Sequence, residues 1–326
     1  MHAAVQPDGP AGGVAAGAGQ GTAGRHPGRR AYQRRRAVRG DVAGAGVAQP
    51  RRVRSKELYP AVFSRHAEAY KSRLDEIMAR GEARGRLRMV ERSEAAPGMT
   101  VLDLACGPGN ITRLLAQRVQ PDGRVLGVDL ARGMIAIAAS ERPPGTSFAV
   151  MDIESLGLSD QAFDAVACGH GLQFAPDLDR ALREAWRVLR PSGVLAASVP
   201  AAGTAESVWT LIDRVVDRHL PPAPKAVDDS ATRATVSDPD TFRSAALAAG
   251  FKSASVEVVD EEVHWDSAEM LVSRCMSWWQ LASRVDAVDS CAGATFMEEA
   301  TEAVRHEHPG AITTHSRNLV LTARRA

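Results

Sequence analysis

An α/β fold built on a doubly wound, mostly parallel sheet is what this chain predicts, on three observations. Five short apolar runs each end at an acidic residue, a glycine or a proline. Helical patterns alternate with them, as expected when strands lie parallel and helices cover both faces. The first run then breaks into a turn with two glycines, Asp103-Leu104-Ala105-Cys106-Gly107-Pro108-Gly109-Asn110. Glycine presents no Cβ, so a backbone can pass close to a ligand there. In open α/β sheets that ligand lies at the carboxyl edge of the strands.

Each element follows in order. Val101-Leu102-Asp103-Leu104 is the first strand, and residues 111–118 carry the helical pattern after its turn. Val125-Leu126-Gly127-Val128-Asp129 is the second strand, and an acid at its end can accept hydrogen bonds from both hydroxyls of a ribose. A helix over 131–141 leads to a third strand, 147–151, which runs into Asp152-Ile153. The fourth strand, 162–168, runs into Gly169-His170-Gly171. A helix over 178–189 precedes the fifth strand, 193–199, which stops at Pro200. Later come a helix over 205–219 broken by Pro221-Pro222-Ala223-Pro224, a helix starting at Asp238-Pro239, and two strands, 254–259 and 318–323, that should pair.

This series resembles the class I S-adenosylmethionine-dependent methyltransferases, particularly the small-molecule branch that includes the ubiquinone and menaquinone methylases. The likeness is close over residues 97–200 and weaker on either side. It implies a Rossmann-like, seven-stranded sheet with an antiparallel C-terminal hairpin, and S-adenosylmethionine as cofactor. It implies that Asp103, Ala105, Cys106, Gly107, Gly109 and Asn110 form the first cofactor motif, and that Asp129 holds the ribose. Leu130 and Met134 would flank the adenine, whose edge Asp152 and Ile153 would read. Gly169, His170 and Gln173 would approach from the fourth strand, with Phe174 beside them, and Tyr70 would place its hydroxyl near the methionine carboxylate, with Tyr59 and His66 as reserves. The family usually has glycine at Ser192 and often at Ala105, and this chain departs at both.

Two rival classes weigh against that reading. A dinucleotide-dependent oxidoreductase would want a third glycine where Thr112 stands. A nucleic-acid methylase could use a basic N-terminal tail, but the body of the chain is acidic and makes a poor surface for phosphates. Methyl transfer from a sulfonium is a direct displacement, so the protein need supply positioning and dryness rather than a nucleophile. A base helps only where the acceptor must lose a proton. His170 is the candidate, with His66, His264 and His315 behind it, and a backbone contact to the cofactor is its competing role. No metal cluster stands out in the sequence.

Flanking the core, residues 57–96 read as a helical lid with Phe63, Ala67, Tyr70, Leu74, Ile77 and Met78 on one apolar face. Residues 201–326 supply helices and strands on the acceptor side. Between Ser267 and Pro309 the chain is too long for a loop and reads as two helices. The first carries Met270, Leu271, Cys275, Met276, Trp278, Trp279 and Leu281, a wall for a hydrophobic acceptor or a plain packing face. The second, over 295–305, is mostly charged and should be solvated.

The near-neutral total charge of +1 conceals a split. Residues 1–56 hold eleven Lys/Arg against Asp8 and Asp41, leaving 29 of the 40 basic and 37 of the 39 acidic residues for the rest. With no Leu, Ile, Phe or Trp, that stretch has little to bury against its ordering entropy, so disorder is expected. Upstream coding sequence read from an early start codon is the favoured account of it, ahead of an ordinary disordered tail and of a nucleic-acid arm. No run of eighteen apolar residues argues for a membrane span, and the tail lacks a secretory core. Four separated cysteines, Cys106, Cys168, Cys275 and Cys291, form neither a zinc nor a disulfide framework, which points to the cytoplasm. A small-molecule acceptor, of the kind natural-product and antibiotic pathways make, is the expected partner, and a homo-oligomer is left open.

Overall fold

The computed structural model describes residues 51–201 and 207–326. The basic tail as far as Pro50 lies outside the described residues. Its expected boundary at Lys56 falls too late, because β1 (Arg52–Val53) already pairs in parallel with β7 (Lys225–Ala226). Three helices follow, α1 (Ser55–Arg65), α2 (Ala67–Ala79) and α3 (Arg84–Arg92). They replace the single helical pattern expected over this stretch. Gly81, at φ 71°, closes α2, with the Gly81 N–H donating to Met78 and the Glu82 N–H to Ile77. That is the bonding of a glycine-terminated helix end.

The core alternates as the sequence predicts: β2 (Thr100–Leu104), α4 (Asn110–Val119), β3 (Arg124–Asp129), α5 (Arg132–Glu141), β4 (Thr146–Val150), β5 (Phe163–Gly169), α6 (Leu178–Val188) and β6 (Leu189–Pro200). After α7 (Ser207–His219) come α8 (Ser230–Val236), α9 (Pro239–Ala248) and β8 (Ser253–Trp265). Then α10 (Ala268–Cys275), α11 (Trp279–Val285) and α12 (Ser290–Glu307) lead into β9 (Ile312–Arg324). The seven-stranded sheet has the order β4-β3-β2-β5-β6-β9-β8, with β9 antiparallel to both neighbours. β2 lies at the centre, and Leu104 is level with Val128 of β3 and Cys168 of β5. The tips of these three strands therefore end together.

Helices cover both faces, so β2 is buried along Val101 to Leu104 rather than alternating. On one face Leu102, Leu104, Val166 and Leu195 pack with Leu182 of α6 and Phe242 of α9. On the other, Val101, Val125 and Ala167 meet Leu115 of α4 and Met89 of α3. Each such buried side chain stabilises the fold by about 1.5–3 kcal/mol. β8 and β9 run well beyond the expected six residues. Their pairing continues past Val259↔Asn318 to Trp265↔Ile312 and overhangs the carboxyl edge of β6. A separate core sits on this overhang, where Leu74 and Ile77 of α2 meet Val208, Ile212 and Val215 of α7 and Leu271, Phe296 and Val304 of the insert. The insert thus forms three helices, not two. α12 is not simply solvated, because Gly293, Phe296, Ala300 and Val304 are buried.

Ser192, where the family usually has glycine, lies at φ 68° in the bulge between Phe163↔Leu189 and Ala165↔Val194. The left-handed region costs an L-residue about 1–2 kcal/mol, partly offset by the greater freedom of glycine when unfolded. Ser192→Gly is therefore expected to raise stability by about 0.5–1 kcal/mol. A urea midpoint equal to or below the parent's would contradict it.

Candidate active site

The site is built at the carboxyl edge where β2, β3, β4 and β5 end. After β2 the turn places Ala105, Gly107 and Gly109 at φ 50°, 54° and 88°, in the left-handed region. Asp129, at the tip of β3, fixes this turn: its Oδ2 accepts from the Gly107 N–H at 2.9 Å and its Oδ1 from the Ala131 N–H at 2.8 Å. Burial raises its pKa. A Cβ on Gly107 would find only Tyr70 within reach, at 3.9 Å, so this glycine opens to free space. Gly109 does not. A Cβ there would meet Ala138 of α5 and Phe148 of β4 at 3.3 Å, so the missing side chain lets the start of α4 pack close to both.

Three adjoining cavities surround the turn. The first runs from Gly107 and Gly169 past Asp129, Leu130, Met134, Asp152 and Ile153 to the lid residues Lys56, Tyr59 and Phe63. A smaller one lies between Tyr70, Arg86, Asp103, Cys106 and Asn110. The third lies beyond β5 and β6 under the overhanging hairpin, with Trp209, Trp265 and Trp278 in its wall. Tyr70, Ala105, Gly107 and Gly169 border the first two, Arg86 the second and third, and His170 the first and third.

Asp103 and Arg86 both line the small cavity, and neither has an ion-pair partner among the described residues. Asp103 is wholly buried; Thr112 donates its hydroxyl to Oδ2 at 2.6 Å, while Oδ1 has no partner. Burial pushes this carboxyl up to about 7, against the lowering hydrogen bond from Thr112, and Asp129 adds to the rise. Asn110 is buried too: its amide N–H donates to Asp75 and its Oδ1 is unpaired. Arg86, 5% exposed, donates to the Tyr70 hydroxyl at 3.3 Å and makes no ion pair with a described residue.

At the far end of the large cavity Asp152 accepts from Lys56 Nζ at 2.6 Å and from the Glu154 N–H. Lys56, expected to lie in the tail, is thus part of the site. Phe174 and Tyr59 line the same cavity at a ring distance of 4.7 Å. The Tyr59 hydroxyl is committed elsewhere, donating to Asp229 and accepting from Arg233. Tyr70 borders the turn as expected, but its hydroxyl meets Arg86.

His170 lies between the large cavity and the third one, in left-handed backbone at φ 61°, with Nε2 buried and unpaired. Burial first, then the Arg86 and Arg73 charges, hold its pKa well below the usual histidine range, against a raising hydrogen bond to Asn318. A ring so disposed is neutral near pH 7, so it is free to accept a proton but holds it weakly. Gln173 lines none of the cavities described; its amide donates to the His170 carbonyl at 2.8 Å and braces that residue. His66 pairs with Asp286 and His264 with Glu82, both outside the cavities, whereas His315 lines the third. The insert reaches that cavity through Trp278, in the link between α10 and α11, while Leu271, Val272 and Cys275 of α10 are buried in the core. Among the described residues no group of three or more His, Cys, Asp or Glu side chains is arranged to hold a metal.

A central acidic strand tip, a glycine-rich turn and a seven-stranded sheet with its last strand antiparallel define a nucleotide-cofactor transferase. A family profile described as a methyltransferase domain matches residues 102–197. A 2-phytyl-1,4-naphtoquinone methyltransferase of Thermosynechococcus vestitus is 37% identical over 164 residues, which are 48% of this chain and 72% of the relative. A demethylmenaquinone methyltransferase of Symbiobacterium thermophilum is 33% identical over 162 residues, 47% of this chain and 64% of the relative. A trans-aconitate 2-methyltransferase of Variovorax paradoxus is 36% identical over 141 residues, 43% and 49% of the two chains. Among solved structures, one from Anaeromyxobacter dehalogenans described as a type II methyltransferase aligns over 73% of this chain and 95% of its own, at TM-score 0.52 and 23% identity. The chain belongs to the class I S-adenosylmethionine-dependent methyltransferases, and S-adenosylmethionine is its cofactor.

Proposed function

We propose that the chain transfers a methyl group onto an oxygen, nitrogen or carbon atom of a small acceptor with an apolar or aromatic body, of the kind made in secondary metabolism, antibiotic pathways included. The observation that carries this reading is the small cavity. Unpaired Asp103 Oδ1 and Asn110 Oδ1 stand across from the unpaired Arg86 guanidinium, a match for the ammonium and carboxylate of a free amino acid. S-adenosylmethionine, when bound, supplies a methyl on a sulfonium ready for displacement. Asp129 would hold the ribose hydroxyls on the lone pairs its two backbone bonds leave free, and Leu130, Met134 and Ile153 would enclose the adenine. Asp152 would read the adenine edge while Lys56 orients it.

The three tryptophans of the third cavity support an apolar or ring-shaped acceptor, and the quinones named for two relatives are of that kind. His170 at the junction would offer one hydrogen bond through Nε2 and orient the acceptor, with no proton held near neutrality. The tests are direct. S-adenosylhomocysteine should bind measurably by calorimetry and reduced nicotinamide cofactor should not, and a chain starting at Arg51 should bind as the full chain does. Binding of the nicotinamide cofactor in its place would refute the reading. Loss of binding on truncation would give the tail a role.

A further inference from the structure

The third cavity is lined by a cation that makes no ion pair among the described residues. Arg73, on α2, lines it and stacks over the Trp278 ring at 5.5 Å. Its guanidinium donates to the neutral Ser277 hydroxyl at 3.3 Å, and among the described residues it makes no ion pair. Nearby cations differ: Lys71 of α2 pairs with Asp75 and Glu141, and Arg80, just past its end, with Glu76 and Glu82. The one carboxylate that borders the cavity, Glu261, is already engaged. Its Oε2 accepts from the Gly85 N–H and from the Asn318 amide. Arg317 at the rim pairs with Asp260, and His315 with Glu262. Of the three guanidiniums in the wall, Arg73 and Arg86 make no ion pair among the described residues, and the one carboxylate, Glu261, has its Oε2 taken by neutral donors. Arg86 is buried and Arg73 half-buried, and a cation partly withdrawn from water is stabilised when an anionic partner arrives.

Arg86 has a partner in prospect at the small cavity it also borders, but Arg73 borders only the third. Resting on the methyltransferase reading above, we propose that the methyl acceptor is an anion, a carboxylic acid or a phosphate ester, whose charged group sits on Arg73. Its planar or apolar body lies against Trp209 and Trp278, whose rings pack at 4.7 Å. Guanidinium offers a two-pronged donor fork that fits carboxylate and phosphate alike, and its stacking on Trp278 fixes the plane of that fork. A sulfonium beside this cavity adds positive charge, which an anionic acceptor offsets and a cationic one worsens.

The test is calorimetry on the full chain saturated with S-adenosylhomocysteine, titrated with naphthoate, naphthyl phosphate and naphthamide. At least one anion should bind about tenfold or more tightly than the neutral amide, the scale of a charge-assisted hydrogen-bond pair. The tighter anion identifies the acceptor's charged group. Arg73→Met should erase the preference while leaving S-adenosylhomocysteine binding unchanged, and Arg73→Lys should retain part of it. An amide that binds as well as both anions, no anion binding at all, or a preference that survives Arg73→Met would each overturn the proposal. Failure of S-adenosylhomocysteine to bind the parent chain would instead sink the methyltransferase reading itself.

Discussion

Replacing Asp129 by alanine is expected to weaken S-adenosylhomocysteine binding by about a hundredfold, near 2.7 kcal/mol. Two losses combine. The ribose hydroxyls lose a charged acceptor, and the Gly107 and Ala131 N–H groups lose the carboxylate that sets the turn. The second loss also removes stability, so the two effects need separating. Asp129→Asn keeps one acceptor oxygen for the turn but no charge, and should fall between parent and alanine in affinity while recovering most of the stability. Calorimetric titration beside a urea melt reads both quantities. An alanine variant within threefold of the parent in affinity would remove Asp129 from the cofactor site.

Asp103→Asn should move stability and binding in opposite directions. In the unfolded chain this carboxyl titrates near 3.9, whereas in the folded protein burial pushes it up to about 7. A raised carboxyl pKa means that folding favours the protonated form. The contribution is full below about pH 4 and is lost as pH rises through 7, above which the fold carries a buried carboxylate. Asparagine cannot ionise, so its stability relative to the parent should climb between pH 4 and 7 and then level off. The ceiling is about 2–4 kcal/mol, reduced by the unpaired amide N–H it introduces. His170 acts in the contrary sense, since its lowered pKa costs the fold stability as pH drops below about 6.5. It is present in both proteins and cancels in the difference. Affinity for S-adenosylhomocysteine should meanwhile drop about tenfold, as the ligand's ammonium loses a charged acceptor. Urea midpoints at pH 5 and pH 8 decide the matter: an unchanged difference between the two pH values would mean that Asp103 does not titrate in this window.

The sheet was legible because parallel strands buried on both faces leave continuous apolar runs, and Val101 to Leu104 is such a run. The hairpin was legible only in part. Asp260-Glu261-Glu262 interrupts the apolar pattern of β8, yet the strand continues because Glu261 is buried on the Gly85 N–H and Asn318 while its neighbours face outward. The break between α10 and α11 was hidden because Met276, Trp278 and Trp279 continue an apolar run that spacing alone reads as one helix. Among site residues, the strand-tip acids and the turn carried local signals, whereas Arg86 and Arg73 did not, since charged residues on a helix are ordinarily solvated. One signal was available. Arg86 shares a helix face with Met89 and Val90, and Arg73 with Tyr70 and Ile77, whereas Arg88 and Arg92 lie on the side that pairs with Glu257. A cation on the apolar side of an amphipathic helix is the pattern to search for.

The overhang of β8 and β9 has an evolutionary corollary. The strand tips that would grip the cofactor all precede Pro200, while the ring-bearing walls of the third cavity come mostly from α7, the hairpin extension and the link between α10 and α11. The hairpin extension and the link leave and rejoin the sheet at the neighbouring strands β8 and β9, so residues 260–317 can drift, lengthen or be exchanged without disturbing the tips. A lineage built this way can trade one acceptor for another while its donor chemistry stays constant.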